Sequence, residues 1–128
     1  MRASILLIED NVQNRYLETF LLESAGHLVH ASESGPAGLE AASELRPDLV
    51  LLDIQLPGMN GYEVARRLRR DPLLRGIPIV AVTSHAMAGD RELALEAGCD
   101  HYIEKPIDPD TFLVTITAVL AEARGRIA

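Results

Sequence analysis

The sequence has one cysteine, Cys99, no tryptophan, and a single lysine, Lys105, among its 12 basic residues. A lone cysteine excludes an internal disulfide and points to a reducing compartment. Its neighbours Gly98 and Asp100 supply neither metal-ligand spacing nor an activating base, so Cys99 reads as a small core residue. Long hydrophobic runs are missing as well. The apolar run Ile5 to Ile8 stops at Glu9-Asp10 and is too short for a signal peptide. No stretch approaches a membrane span, and a cytoplasmic location is expected. Positive charge is scarce: 12 basic against 19 acidic residues leave a formal charge of −7. Such a chain repels phosphate backbones, which excludes nucleic-acid binding by this domain alone as an expectation. The one basic cluster, Arg66, Arg67, Arg69 and Arg70, follows Glu63 at spacings that suit ion pairs on a solvated helix face.

What is present suffices for one core. A length of 128 residues, 48% of them hydrophobic, fits a single domain spanning 1–128. Five short apolar runs stand out: Ile5–Ile8, Leu28–Ala31, Leu49–Leu52, Ile77–Val82 and His101–Ile103. The first, third and fourth are nearly continuous, as strands are when both faces of a parallel sheet are covered. Segments of helical period lie between them. Val12, Tyr16 and Phe20 recur every fourth residue, Leu17 and Leu21 widen that stripe toward Ala25, and Gly26 offers a C-terminal stop. Ser34 caps a helix to about Leu45 with Pro36 in its first turn, and a short helix runs from Gly61 to about Arg70. Another spans Met87 to Ala97 before Gly98, and Asp108-Pro109 opens a last one to about Ala123. That last segment is rich in β-branched residues, but its length and its capping pair decide for helix. Five βα units in succession imply a doubly wound α/β fold with a parallel sheet and right-handed crossovers. Ligands of such sheets bind beyond the carboxyl ends of the strands.

Those ends carry an unusual set of groups. The first strand runs into Glu9-Asp10, the third into Asp53, the fourth into Thr83 and the fifth toward Lys105. Each residue alone is unremarkable, since an Asp closing a strand is commonly a turn former. Their coincidence on one rim is the signal. Three carboxylates brought together raise each other's pKa unless a cation sits among them. A cluster of oxygen ligands without Cys or His suits a hard cation, Mg²⁺ above all, which leaves positions for phosphate oxygens. Lys105 adds an ammonium and Thr83 a hydroxyl donor, completing a clamp for a phosphoryl group. A carboxylate can itself be the nucleophile, and Asp53 on the central strand is the best placed. The lone lysine among 11 arginines then has a reason, because a compact ammonium and a planar guanidinium are not interchangeable there.

The motifs resemble those of the receiver domains of bacterial two-component response regulators. The matching residues are Glu9-Asp10-Asn11, Leu51-Leu52-Asp53-Ile54-Gln55-Leu56-Pro57-Gly58-Met59-Asn60-Gly61, Ala81-Val82-Thr83-Ser84 and Tyr102-Ile103-Glu104-Lys105-Pro106. The resemblance covers essentially the whole chain and is nearest to single-domain receivers, the chemotaxis type included, and to receivers of hybrid histidine kinases. It implies a flavodoxin-like (βα)5 three-layer sandwich with a five-stranded sheet of order 2-1-3-4-5. It implies that Asp53 accepts a phosphoryl group from a histidine kinase or histidine phosphotransfer protein. Asp10, Asp53 and the backbone carbonyl of Gln55 would hold Mg²⁺, with Glu9 acting through water. Lys105 would pair with the phosphoryl oxygens, Thr83 would reach toward them, and Tyr102 would be the switch aromatic. The Lys105–Pro106 peptide bond would be cis. Gln55 and His85, two residues beyond Asp53 and Thr83, would tune access of water. The Glu-Asp pair departs from the Asp-Asp of many members, which lengthens one carboxylate by a methylene.

The expected output is protein–protein contact through the fourth helix, fifth strand and fifth helix, since no effector segment follows the fifth helix. A receiver excised from a hybrid kinase or a longer regulator is the alternative. A haloacid-dehalogenase-type aspartyl-phosphate phosphatase needs a second Asp two residues after the nucleophile, where this chain has Gln55, so the chain is expected to be no enzyme beyond its own phosphorylation and dephosphorylation. A dinucleotide-binding enzyme needs a Gly-rich turn where this chain reads Glu9-Asp10-Asn11-Val12-Gln13. A receiver fold that has lost its chemistry is disfavoured by the presence of Asp10, Asp53, Thr83 and Lys105 together.

Overall fold

Alternate residues of a β-strand point to opposite faces, so a continuous apolar run needs cover on both sides. The computed structural model, which describes residues 2–84 and 89–127, provides it. The strands are β1 (Ser4–Ile8), β2 (Leu28–Ser32), β3 (Leu49–Asp53), β4 (Ile79–Thr83) and β5 (His101–Glu104). They form one parallel sheet of order β2-β1-β3-β4-β5, as the resemblance implied. The helices are α1 (Val12–Ser24), α2 (Gly35–Leu45), α3 (Gly61–Arg70), α4 (Asp90–Ala97) and α5 (Pro109–Ile127).

Two cores result. Leu6, Ile8, Val50, Leu52, Ile79 and Ala81 pack against α2, α3 and α4 through Ala42, Val64, Leu68 and Ala94. Ile5, Leu7, Leu49, Leu51, Val80 and Val82 face Leu22 of α1 and Phe112, Ile116, Val119 and Leu120 of α5. Each fully buried Leu or Ile contributes about 1.5–3 kcal/mol, which makes the three central strands the rigid floor of everything above them.

The helix punctuation behaves as the residues require. Ser34 and Asn60 accept from the backbone N–H of Ala37 and Glu63 to cap α2 and α3. Asp108 Oδ1 accepts from Asp110 N–H at the start of α5. Gly26 and Gly98 take positive φ after α1 and α4. The expected start of the fourth helix at Met87 lies outside the described residues.

Two surfaces differ from what spacing alone suggests. The stripe Val12, Tyr16 and Phe20 of α1 does not face the sheet; these residues are 67%, 74% and 58% exposed. The buried side of α1, about half a turn away, holds Glu18 and Leu22. Periodicity identifies a stripe but not the direction in which it points, and the ends of β1 and β2 set the rotation of α1. The arginine cluster also divides. Arg66 and Arg67 pair with Glu63 on the solvated face as expected. Arg69 instead turns inward, donating to the carbonyls of Gly98, Arg75 and Ile77 and to Asp100, and so ties α3 to the loops that precede β4 and β5.

Candidate functional site

The parallel sheet brings the ends of β1, β3, β4 and β5 to one rim. Glu9 and Asp10 follow β1, Asp53 ends β3, Thr83 ends β4 and Lys105 follows β5. Their side chains converge. Lys105 Nζ donates to Glu9 Oε1 at 2.8 Å and lies 3.6 Å from Asp53 Oδ1. Carboxylate oxygens of Glu9, Asp10 and Asp53 lie within 4.8 Å of one another. Glu9 and Asp53 are buried, whereas Asp10 is open to solvent.

Backbone groups hold the carboxylates in place. Asn11 N–H donates to Glu9 Oε2 at 3.3 Å, and Asn11 in turn caps α1 by accepting from Asn14 N–H. Gln55 N–H donates to Asp53 Oδ1 at 3.0 Å. The loop beyond Asp53 returns close to the strand that it leaves, with Gly61 N–H donating to the Ile54 carbonyl. A Cβ at Gly61 would stand 2.6 Å from Ile54 Cα and 2.7 Å from the Asp53 carbonyl oxygen, so only glycine permits this approach.

The electrostatics follow from crowding. Burial and the Glu9 carboxylate push the Asp53 carboxyl up to about 7, against the opposing pull of Lys105 and Gln55 N–H. Burial alone would raise Glu9 too, but hydrogen bonds from Asp53 and Lys105 outweigh it and Glu9 ends lowered. Burial disfavours the Lys105 ammonium, yet its bond to Glu9 and the charge of Asp53 raise it overall. Without a further cation, then, Asp53 is the carboxyl of the pair that takes up a proton more readily.

A second set of bonds runs sideways from this cluster. Gln55 Nε2 donates to Thr83 Oγ1, and Gln55 Oε1 accepts from Ser84 N–H at 3.0 Å. Thr83 also shares a hydrogen bond with the half-buried Tyr102. The expected switch pair is thus in contact, and Gln55 joins it through its side chain, a link with no sequence signature. The Lys105–Pro106 bond is cis. His85 lies outside the described residues. Cys99 is buried, and burial pushes its thiol up to about 12, which makes it an inert core residue.

Glu18 had no signal in composition or spacing. It is 1% exposed on the inner face of α1, and its Oε2 has no hydrogen-bond partner among the described residues. Burial first, and Glu9 second, push its carboxyl up to about 8.

Fold and site together define a class: a doubly wound (βα)5 domain with three carboxylates, one lysine and one hydroxyl on its carboxyl-end rim. The profile of the response regulator receiver domain matches residues 5–117, and the chain belongs to that family of signalling domains. It is 43% identical over 123 residues to the polar-differentiation response regulator DivK of Brucella anthropi, spanning 96% of this chain and 100% of that protein. Among solved structures, a CheY-like receiver domain protein of Methanospirillum hungatei superposes with a TM-score of 0.91 at 28% identity, covering 98% of this chain and 99% of the other. The receiver domain of a Pseudomonas aeruginosa sensor histidine kinase, PA1611, superposes with a TM-score of 0.87 at 32% identity, covering 94% and 99%. That structure carries a magnesium ion coordinated in its active-site cleft.

Proposed function

We propose that this chain is a phosphoryl acceptor in which Asp53 takes a phosphoryl group from a phosphohistidine of a histidine kinase or histidine phosphotransfer protein. The observation that carries the reading is the meeting of Asp53 with Glu9, Asp10 and Lys105 in one buried-to-open cluster. The donor set is all oxygen and close enough to converge on one ion, which fits Mg²⁺. Asp10, Asp53 and the Gln55 carbonyl would hold it, with Glu9 acting through water. Bound there, it would favour the anionic form of Asp53 and neutralise charge on the phosphoryl oxygens.

The chain's own residues supply the rest. An Asp53 carboxylate oxygen attacks phosphorus, the P–N bond of the phosphohistidine breaks, and its electron pair returns to the imidazole. The Lys105 ammonium, already beside Asp53 Oδ1, meets a phosphoryl oxygen as charge develops. Asp53 is buried at 4% exposure, which slows hydrolysis of the acyl phosphate, and Gln55 stands where a phosphatase of the haloacid-dehalogenase type would keep its acid. The product is therefore a signal and not a turnover intermediate.

Thr83 and Tyr102 would carry that signal to the surface formed by α4, β5 and α5, where a downstream protein binds. The exposed apolar side of α1 starts immediately after Asp10-Asn11, so a protein presenting a phosphohistidine to Asp53 would cover it. None of the helices among the described residues is long and apolar enough to cross a membrane, and a cytoplasmic site of action beside a kinase is the proposed location. A second reading, a receiver within a longer protein, is favoured by the likeness to NtrX of Brucella abortus, of which this chain covers 29% at a TM-score of 0.91 and 26% identity.

Incubation with acetyl phosphate tests the reading. One phosphoryl group is expected with Mg²⁺ and none with EDTA; equal labelling in both would remove the metal from the account.

A further inference from the structure

A cation close to the amino-terminal end of a helix stands against the positive end of the helix dipole. Arg15, the fourth residue of α1, is such a cation, yet its side chain is drawn in to 18% exposure. Its ion pair with Glu33 at 3.3 Å does not account for that, because Glu33 is 77% exposed and a pair open to solvent is worth little.

The backbone of the β1–α1 turn does account for it. Asn11 is the N-cap of α1, and its carbonyl accepts the first bond of the helix, from Arg15 N–H at 2.9 Å. The carbonyls of Glu9 and Asp10 come before the cap and lie outside the helix ladder. Arg15 Nη1 turns back and donates to both, at 3.0 Å to Glu9 and 3.4 Å to Asp10. Three successive carbonyls, 9 to 11, thus rest on one residue. Arg15 Nη2 meanwhile pairs with Glu33, next to Ser32, whose carbonyl accepts from Glu9 N–H at 3.0 Å. The turn that carries two of the three clustered carboxylates is therefore clamped from α1 on its carbonyl side and from β2 on its amide side. The Asp10 carboxylate stands open to solvent on a short side chain, so its place in the cluster is set by this backbone.

We propose that Arg15 is a positioning residue of the candidate Mg²⁺ site, its guanidinium fixing the Glu9–Asp10 backbone so that the Asp10 carboxylate converges on Asp53. The inference rests on the acceptor reading given above and adds a residue that touches no reacting atom. The sign of its effect separates it from simple electrostatics. A cation near the cluster repels Mg²⁺, so charge alone makes removal of Arg15 strengthen metal binding. A positioning role makes removal weaken it, since the Asp10 carboxylate then samples placements that do not converge.

Three forms of the full chain test this: the parent, Arg15→Met and Arg15→Lys. Met keeps much of the apolar stem and donates nothing, whereas Lys keeps the charge but has one nitrogen for two carbonyls and Glu33. Calorimetric Mg²⁺ titration below the onset of melting is the first readout, and the Mg²⁺ dependence of labelling by acetyl phosphate is the second. Arg15→Met is expected to bind Mg²⁺ about tenfold more weakly than the parent, the scale of a lost supporting bond around a metal ligand. Its labelling rate should fall in proportion at low Mg²⁺ and return to the parent's at saturating Mg²⁺. Arg15→Lys should also bind more weakly than the parent, and it carries the test if the Met variant does not fold. A Met or Lys variant that binds Mg²⁺ as tightly as the parent, or more tightly, overturns the proposal. So does a rate deficit that saturating Mg²⁺ leaves in place. If the parent binds Mg²⁺ but takes no phosphoryl group, the acceptor reading fails, and the Mg²⁺ affinities still decide the role of Arg15. A parent that binds no Mg²⁺ removes the metal site and this proposal together.

Discussion

Gln55 Nε2 donates to Thr83 Oγ1, so the side chain two residues beyond Asp53 holds the hydroxyl that, in the proposed switch, moves when Asp53 is phosphorylated. The same amide accepts from Ser84 N–H, which ties the β3–α3 loop to the end of β4. Swinging the Thr83 hydroxyl toward a phosphoryl oxygen would lengthen this bond. Gln55→Ala should release it and favour the activated arrangement. One hydrogen bond of about 1 kcal/mol corresponds to a roughly fivefold tighter affinity for the phosphoryl mimic beryllofluoride. Titration with that mimic checks the prediction; weaker binding would show that Gln55 assists the switch instead of restraining it.

Lys105 occupies a half-buried slot between Glu9 and Asp53, which suits a compact ammonium. Lys105→Arg keeps the charge but places a planar, wider head there. The rate of phosphorylation by acetyl phosphate should fall by at least about tenfold, because the donor no longer sits at the developing charge. Overpacking should lower stability by about 1–2 kcal/mol in urea denaturation. An Arg variant with the parent's rate would reduce Lys105 to a generic positive charge.

Arg69 gives a prediction for the opposite end of the sheet. Its guanidinium satisfies three carbonyls and Asp100, which itself accepts from Ile79 N–H. Arg69→Met should cost about 3 kcal/mol, since it strands a carboxylate and several carbonyls. Arg69→Lys should recover little of that, because a single ammonium cannot reach all four oxygens. Phosphorylation at the far rim should persist in both. Urea denaturation and acetyl phosphate labelling measure the two effects separately.

These residues also mark how far the sequence could be read. The continuous runs of β1, β3 and β4, the caps Ser34 and Asp108, and the rim residues Glu9, Asp10, Asp53, Thr83 and Lys105 were legible, because each is a local pattern and the βα alternation alone stacks their ends together. The orientation of α1 was not legible. Its most regular apolar stripe points to solvent, and its buried face carries Glu18, so hydrophobic spacing alone indicated the wrong side. Arg69 looked like its neighbours Arg66 and Arg67 because the carbonyls that it satisfies lie in loops 6 to 29 residues away. The Gln55–Thr83 bond joins residues 28 apart and exists only once β3 and β4 pair. What escaped the sequence reading is the long-range polar bonding, which has no periodicity to announce it.

His27 sets a pH dependence away from the site. Its buried imidazole Nδ1 accepts from Ala3 N–H, and burial, with nearby positive charge including Arg124, lowers its pKa. The folded chain thus binds this proton less readily than the unfolded chain, in which histidine titrates near ~6.5. The stabilising contribution is present above that value and is lost as pH falls below it, with a limiting slope of about 1.4 kcal/mol per pH unit. His27→Gln, whose amide oxygen can still accept from Ala3 N–H, should lose less stability than the parent between pH 7.5 and pH 5.5. Equal losses in urea denaturation would exclude His27 as the source.

The central claim is that Asp53 is the phosphoryl acceptor. The direct measurement is to treat the chain with acetyl phosphate and Mg²⁺, trap the acyl phosphate by borohydride reduction, and map the modified peptide by mass spectrometry, with Asp53→Asn alongside. The account predicts a single modification at position 53 in the parent and none in the variant; a modification mapped to any other residue, or one that survives Asp53→Asn, would contradict it.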